Sequence, residues 1–186
     1  MRDMIKPWAV LFIITLTAAL GLGIVYEITK EPIIIQQENA KKKSLALLLP
    51  EASEFIPADN EISASGAAHL YTGYDGGVIK GYIIASEANG YGGPIGVLTA
   101  IGADGAVRGI DIYKSSETPG LGENIRNTSF KAQFIGTSGT VAVARYEPGA
   151  NEIHAVTGAT VSTAAAVGAV NAAIDYFNNY LSNGGK

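Results

Sequence analysis

The sequence predicts an α+β protein: an N-terminal transmembrane helix, then an antiparallel-sheet domain with a C-terminal helix. Three features carry this. Residues 7–26 form an uncharged apolar run, residues 69–146 alternate strand-like segments with glycine turns, and residues 162–181 repeat apolar side chains at helical spacing. The implied division is a membrane anchor over 1–30, a helical or loop connector over 31–68 and a globular domain over 69–186.

The first segment reads PWAVLFIITLTAALGLGIVY between Lys6 and Glu27. Twenty residues at about 1.5 Å each match the roughly 30 Å hydrocarbon core of a bilayer. Trp8 and Tyr26 sit at its ends, where amphipathic rings favour the interface. A cleaved signal peptide is the competing reading, with Ala19-Leu20-Gly21 as the small-x-small site. Cleavage there would leave Leu22-Gly23-Ile24-Val25 at the new terminus, and the run exceeds a typical signal core. Length therefore favours a retained anchor. Arg2 and Lys6 lie on one side, Lys30, Lys41, Lys42 and Lys43 on the other. That count would hold the domain inside, but long domains cross largely regardless of charge, so these residues leave sidedness open.

Glu31-Pro32 closes the membrane helix, and residues 33–49 are helix-compatible up to Pro50. The lysines at 41–43 suit a solvated face or a headgroup contact. Residues 51–68 are small and polar and read as a loop. Strands follow at 70–74 and 78–85 around Asp75-Gly76-Gly77, and at 95–103 and 106–113 around Asp104-Gly105. Residues 128–135 suit a short helix and 141–146 another strand. In the last helix Val167, Val170, Ile174, Phe177 and Leu181 share one face, Ser162 or Thr163 can cap it, and Gly184-Gly185 follows it.

Composition narrows the chemistry. The 186 residues include no cysteine, which excludes disulfides, iron–sulfur clusters and thiolate metal sites. Only His69 and His154 remain as imidazoles, too few for a histidine-rich metal or haem site, so no metal is expected. Beyond residue 26 there are 11 Lys/Arg and 16 Asp/Glu, or 11 − 16 = −5, which argues against nucleic acid as a partner. No acid–base pair or nucleophile of its own stands out, so no catalytic residue is assigned. Any electron transfer would need an organic cofactor.

One motif can hold such a cofactor. Thr157-Gly158-Ala159-Thr160 lies directly before the last helix, where free N–H groups and the helix dipole favour an anion. A hydroxyl there can display a phosphate ester, or it can be only a helix cap. Gly90-Tyr91-Gly92-Gly93-Pro94-Ile95 and Ser116-Glu117-Thr118-Pro119-Gly120-Leu121-Gly122 are likewise open to two readings. Each is a plain turn, or a backbone surface against which a flat ring can lie. Tyr91 either stacks on that ring or packs in the core.

These three motifs, in this order and spacing, resemble the FMN-binding domain family. Together with the anchor, the chain is similar over most of its length to the flavin-bearing subunits of Rnf-type membrane complexes, which are ferredoxin:NAD⁺ oxidoreductases coupled to Na⁺ or H⁺ translocation. The resemblance implies an antiparallel FMN-binding domain, a role in electron transport as one part of a translocase, and FMN joined covalently to Thr160 by a phosphoester. It places Thr157, Gly158, Ala159, Val161 and Ser162 around the attachment point. It brings Glu117, Thr118, Gly120, Leu121, Tyr91 and Gly92 to the flavin. Partners implied are the other subunits of the complex, the lipid bilayer, and a flavin transferase that uses FAD during maturation. The implied location is the cytoplasmic membrane, with one span, the N-terminus inside and the FMN domain outside. The family pattern has an acidic residue three positions before Thr157; here that position is His154, and Glu152 or Asn151 can substitute. The similar flavin-bearing subunits of Na⁺-translocating NADH:quinone oxidoreductases are generally longer. From a different class, a membrane-anchored binding or assembly module with no redox centre would use TGAT only as a cap.

Overall fold

The computed structural model describes residues 2–58, 67–144, 146 and 148–182. The chain forms two compact units, Met1–Lys42 and Lys43–Lys186. The loop expected through residues 59–66 and Gly184-Gly185 at the end of the last helix lie outside the described residues.

Helix α1 runs over Arg2–Leu48. Among the described residues it supplies one segment, Val10–Lys30, long and apolar enough to cross a membrane. The side chains of that segment are exposed, as a lipid-facing helix requires. The helix does not close at Pro32 as expected. Proline removes one donor, the one for the Ile28 carbonyl, but good helix formers such as Gln36, Gln37, Ala40 and Lys41 carry the backbone onward.

In the second unit, five strands form an antiparallel meander: β1 Glu54–Pro57, β2 Ala67–Asp75, β3 Val78–Asn89, β4 Pro94–Gly102 and β5 Val107–Lys114. The expected hairpins are present. At the first, Asp75 pairs with Val78 across Gly76 and Gly77, both with positive φ, which suits the twist of a two-residue turn. Strand β1 replaces part of the expected loop. Four residues at a sheet edge show too little alternation to be recognised, and Pro57 ends the strand.

A helical turn over Gly122–Arg126 and α2 over Thr128–Ala132 lead to β6 Ala142–Ala144. This strand does not join the main sheet. It pairs in parallel with β7, Glu152–His154, so His154 lies on a strand, with its side chain exposed. Gln133 holds its backbone: the His154 N–H donates to Gln133 Oε1 at 2.7 Å. Helix α3 spans Thr160–Tyr176 and continues as a wider turn over Phe177–Leu181.

The central strands are buried on both faces. One face carries Ile84, Val97, Ile101, Ile110 and Ile112 against Ala166, Ala169, Val170, Ala173 and Ile174 of α3. Small alanines let the helix approach closely, and the buried Ser86 hydroxyl donates to the Ala169 carbonyl at 2.7 Å. The other face carries Ile83, Ala85, Leu98 and Ala100 under Leu45 and Leu49. A Cβ on Gly73 would lie 2.6 Å from Leu49 Cδ2, so glycine there makes room for that leucine. The Ser44 hydroxyl donates to Asp111 Oδ2 at 2.8 Å, and Lys131 Nζ lies 2.9 Å from Asp111 Oδ1. Burial opposes the charge on Asp111, but these donors outweigh it and hold the carboxyl below the ordinary carboxylate range.

Candidate functional site

Three loops meet at one end of the sheet: the β3–β4 turn, the segment after β5, and the start of α3. Their meeting point is Glu117, only 6% exposed. Its Oε1 accepts from the Gly92 N–H at 3.0 Å, and its Oε2 accepts from the Ser162 hydroxyl at 2.8 Å. One carboxylate thus ties together all three motifs singled out in the sequence. Two glycines enclose it. A Cβ on Gly90 would fall 2.3 Å from Oε1, and one on Gly122 would fall 2.4 Å from Oε2. Neither glycine was among the expected site residues, although both belong to the glycine-bearing motifs. Neither has a positive φ, so space alone requires them.

The start of α3 differs from expectation. The helix begins at Thr160, with Ala159 as its cap residue and no side-chain cap. Ser162 and Thr163 lie inside the first turn and are buried. Ser162 reaches across to Glu117, a partner 45 positions away that no local pattern reveals. Thr163 Oγ1 accepts from the Val156 N–H at 3.1 Å and donates to the Ala159 carbonyl at 3.0 Å. The Ala159 N–H also donates to the Val156 carbonyl at 2.9 Å, closing a turn in which Gly158 takes a φ of 76°. That conformation suits glycine.

This turn presents Thr160 outward at the first helical position. Thr160 is exposed, and its hydroxyl has no partner among the described residues. The first backbone bond of α3 runs from the Thr163 N–H to the Ala159 carbonyl, so the N–H groups of residues 160, 161 and 162 lie ahead of it. The first turn carries no acidic residue. A phosphoester on Thr160 therefore fits: it meets free donors and the positive end of a 17-residue helix, in open space. Thr157 is also exposed, but it precedes the helix by three residues.

Two apolar side chains lie exposed beside the turn that carries Thr160. Leu121 is 45% exposed and Val161 is 54% exposed. Leu121 lies against Gly158, where an added Cβ would come within 3.0 Å of its Cδ1. Thr118 and Gly120 are exposed on the same loop. Tyr91 is 80% exposed, which removes the core-packing alternative. The only buried charge among the expected site residues is Glu117, and its oxygens face inward to protein donors. Among the described residues no cluster of His, Asp or Glu could hold a metal.

Residues 90–175 match the FMN-binding domain family, and this span contains all three loops. Along its length the chain is 34% identical to the G subunit of the Na(+)-translocating ferredoxin:NAD(+) oxidoreductase complex of Acetobacterium woodii, covering 94% of this chain and 91% of that protein. The chain belongs to this family of G subunits. Another relative, the G subunit of the ion-translocating oxidoreductase complex of Methanosarcina acetivorans, is 30% identical over 94% of this chain and 95% of its own. The G subunit of the proton-translocating ferredoxin:NAD(+) oxidoreductase complex of Clostridium ljungdahlii is also 30% identical, over 89% of this chain and 85% of its own. The fold further resembles the C subunit of the Na(+)-translocating NADH-quinone reductase of Parabacteroides distasonis, with a TM-score of 0.51 and 17% identity over 69% of this chain and 79% of that one. That likeness concerns the fold alone.

Proposed function

We propose that this chain is the electron-carrying subunit of an Rnf-type, ion-translocating ferredoxin:NAD⁺ oxidoreductase, with FMN esterified to Thr160. The observation that carries the proposal is the presentation of Thr160: an exposed hydroxyl with no partner among the described residues, at the first position of α3, where the N–H groups of residues 160–162 precede the first backbone bond of the helix. When bound, flavin supplies one- and two-electron exchange, and the protein supplies position and electrostatics. Thr160 holds the phosphate ester, and the start of α3 stabilises its negative charge. Leu121 and Val161 offer apolar surface for a flat ring, Thr118 offers a hydroxyl to a ring edge, and Tyr91 is free to stack. Glycines at 120 and 158 take positive φ in the loops that carry these residues.

Covalent attachment would prevent loss of FMN into an open compartment, and a flavin transferase would install it. The Val10–Lys30 segment would anchor the chain by a single span, with the N-terminus inside and the FMN domain outside the cytoplasmic membrane. Thr160 reaches solvent, so either a transferase or a neighbouring subunit can approach it. The relatives' names differ in the coupling ion, sodium in one and protons in another, and the proposed role is compatible with either. The full chain, produced beside an active flavin transferase and run on a denaturing gel, should give a yellow, UV-fluorescent band. Purified in mild detergent, it should bring the other subunits of the complex with it. A colourless, non-fluorescent band would favour a module with no redox centre.

A further inference from the structure

We propose that Glu117 is a positioning residue for the flavin, acting through the two loops it holds rather than by touching the ring. This rests on the proposed function, since it concerns the same site. The carboxylate is 6% exposed and Ser162 is 2% exposed. Both oxygens are already engaged, one by the Gly92 N–H at 3.0 Å and one by the Ser162 hydroxyl at 2.8 Å. Gly90 and Gly122 close over it: an added Cβ would lie 2.3 Å from Oε1 at the first and 2.4 Å from Oε2 at the second. A group enclosed in this way cannot reach a ring lying outside on Leu121 and Val161. It can set the position of that ring. Gly92 neighbours the exposed Tyr91, and Ser162 lies two residues after Thr160 on the same helical turn. The Glu117 backbone begins the loop that carries Thr118, Gly120 and Leu121. A shift of this carboxylate therefore moves every surface offered to the flavin.

The carboxylate also places a fixed negative charge beneath the site. Electrons arriving on a nearby flavin add negative charge, and a like charge in a poorly solvated position opposes that. Glu117 thus tunes the potential downward as well as fixing geometry.

The test uses the full chain in detergent, loaded by an active flavin transferase. Glu117→Gln keeps the shape and removes the charge. It should retain the flavin mass increment, shift the visible circular dichroism of the flavin, and move its midpoint potential to more positive values. Ser162→Ala keeps the charge and removes one donor; it should shift the circular dichroism with a smaller change in potential. Ser86→Ala is the control, because Ser86 is buried and bonded to α3 but lies outside the site. It should lower thermal stability while leaving the flavin spectrum and potential at wild-type values. A Glu117→Gln protein that is folded and flavinylated but matches wild type in both spectrum and potential would overturn the proposal. If that variant does not fold, a Ser162→Ala protein with an unaltered spectrum overturns it equally. Loss of loading in a folded Glu117→Gln protein, with wild type loaded, places the same positioning role at the attachment step. A wild-type chain with no flavin would overturn the functional reading and the role of Glu117 together.

Discussion

Replacing Gly122 with alanine tests the packing around Glu117 directly. Its φ is not positive, so the substitution carries no special backbone strain. The cost comes from space. The new Cβ would lie 2.4 Å from Glu117 Oε2, 2.7 Å from Ser162 Oγ and 2.9 Å from Glu117 Cβ. All three atoms belong to buried side chains. Relief requires the carboxylate and the hydroxyl to separate, breaking their 2.8 Å hydrogen bond. Overpacking a tight site costs about 1–3 kcal/mol, and a hydrogen bond to a charged group contributes about 1.5–3 kcal/mol. The two overlap, because one displacement serves both, so about 3 kcal/mol is expected rather than the sum. For a chain of this size that corresponds to a fall of roughly 6–12 °C in melting temperature. Thermal unfolding of the detergent-solubilised chain by circular dichroism measures it. Gly120→Ala is the matched comparison, since Gly120 has a φ of 75° and open space around it. It should cost only about 1 kcal/mol, the penalty of a left-handed backbone. Equal losses in the two variants, or a Gly122→Ala protein as stable as wild type, would refute the reasoning.

Asp111→Asn should lower stability by about 1–2 kcal/mol at neutral pH, because two hydrogen bonds to a charged acceptor weaken. The folded-state value of Asp111 is depressed below the ordinary 3.8, so its contribution is full above that pH and disappears as pH falls through the folded value. Denaturant melts at a series of pH values should show the gap between wild type and variant closing in acid; a constant gap would count against the Lys131–Asp111–Ser44 link. Thr118→Val should leave FMN attached while shifting its spectrum or potential, and an unchanged spectrum and potential would remove Thr118 from the site. The chain has no cysteine, so Glu51→Cys introduces a single thiol at an exposed position. An impermeant thiol reagent should label it in intact cells, and labelling only after lysis would place the domain on the cytoplasmic side.

The hairpins and the apolar face of α3 were legible because both follow from local chemistry. Glycines mark the reversals at 76, 77 and 105, and the face formed by Val167, Val170, Ile174 and Phe177 is buried as its spacing requires. The three motifs also stood out in the sequence. What local chemistry could not show was their connection. Ser162 looks like a cap because a hydroxyl before an apolar run usually is one. Here its partner is a carboxylate 45 residues earlier, and the helix starts at Thr160, two residues ahead of it. That difference changes the site, for it places Thr160 on the helix rather than in the loop before it. Strands β1 and β7 have four and three residues and show no usable alternation, whereas β6 lies within the strand expected over 141–146. The continuation of α1 past Pro32 was hidden because proline normally ends a helix, while the flanking residues favour one.

The central claim is that Thr160 carries the flavin. Intact-protein mass spectrometry of the full chain, made beside an active flavin transferase, tests it most directly. Wild type should be heavier than the bare chain by one FMN less one water. Thr160→Val should lack that increment and stay folded, since valine keeps the β-branched shape without the hydroxyl and Thr160 makes no side-chain bond among the described residues. Thr157→Val should still carry it. An increment that persists in Thr160→Val and maps by peptide fragmentation to Thr157, Ser162 or Thr163 would contradict the account.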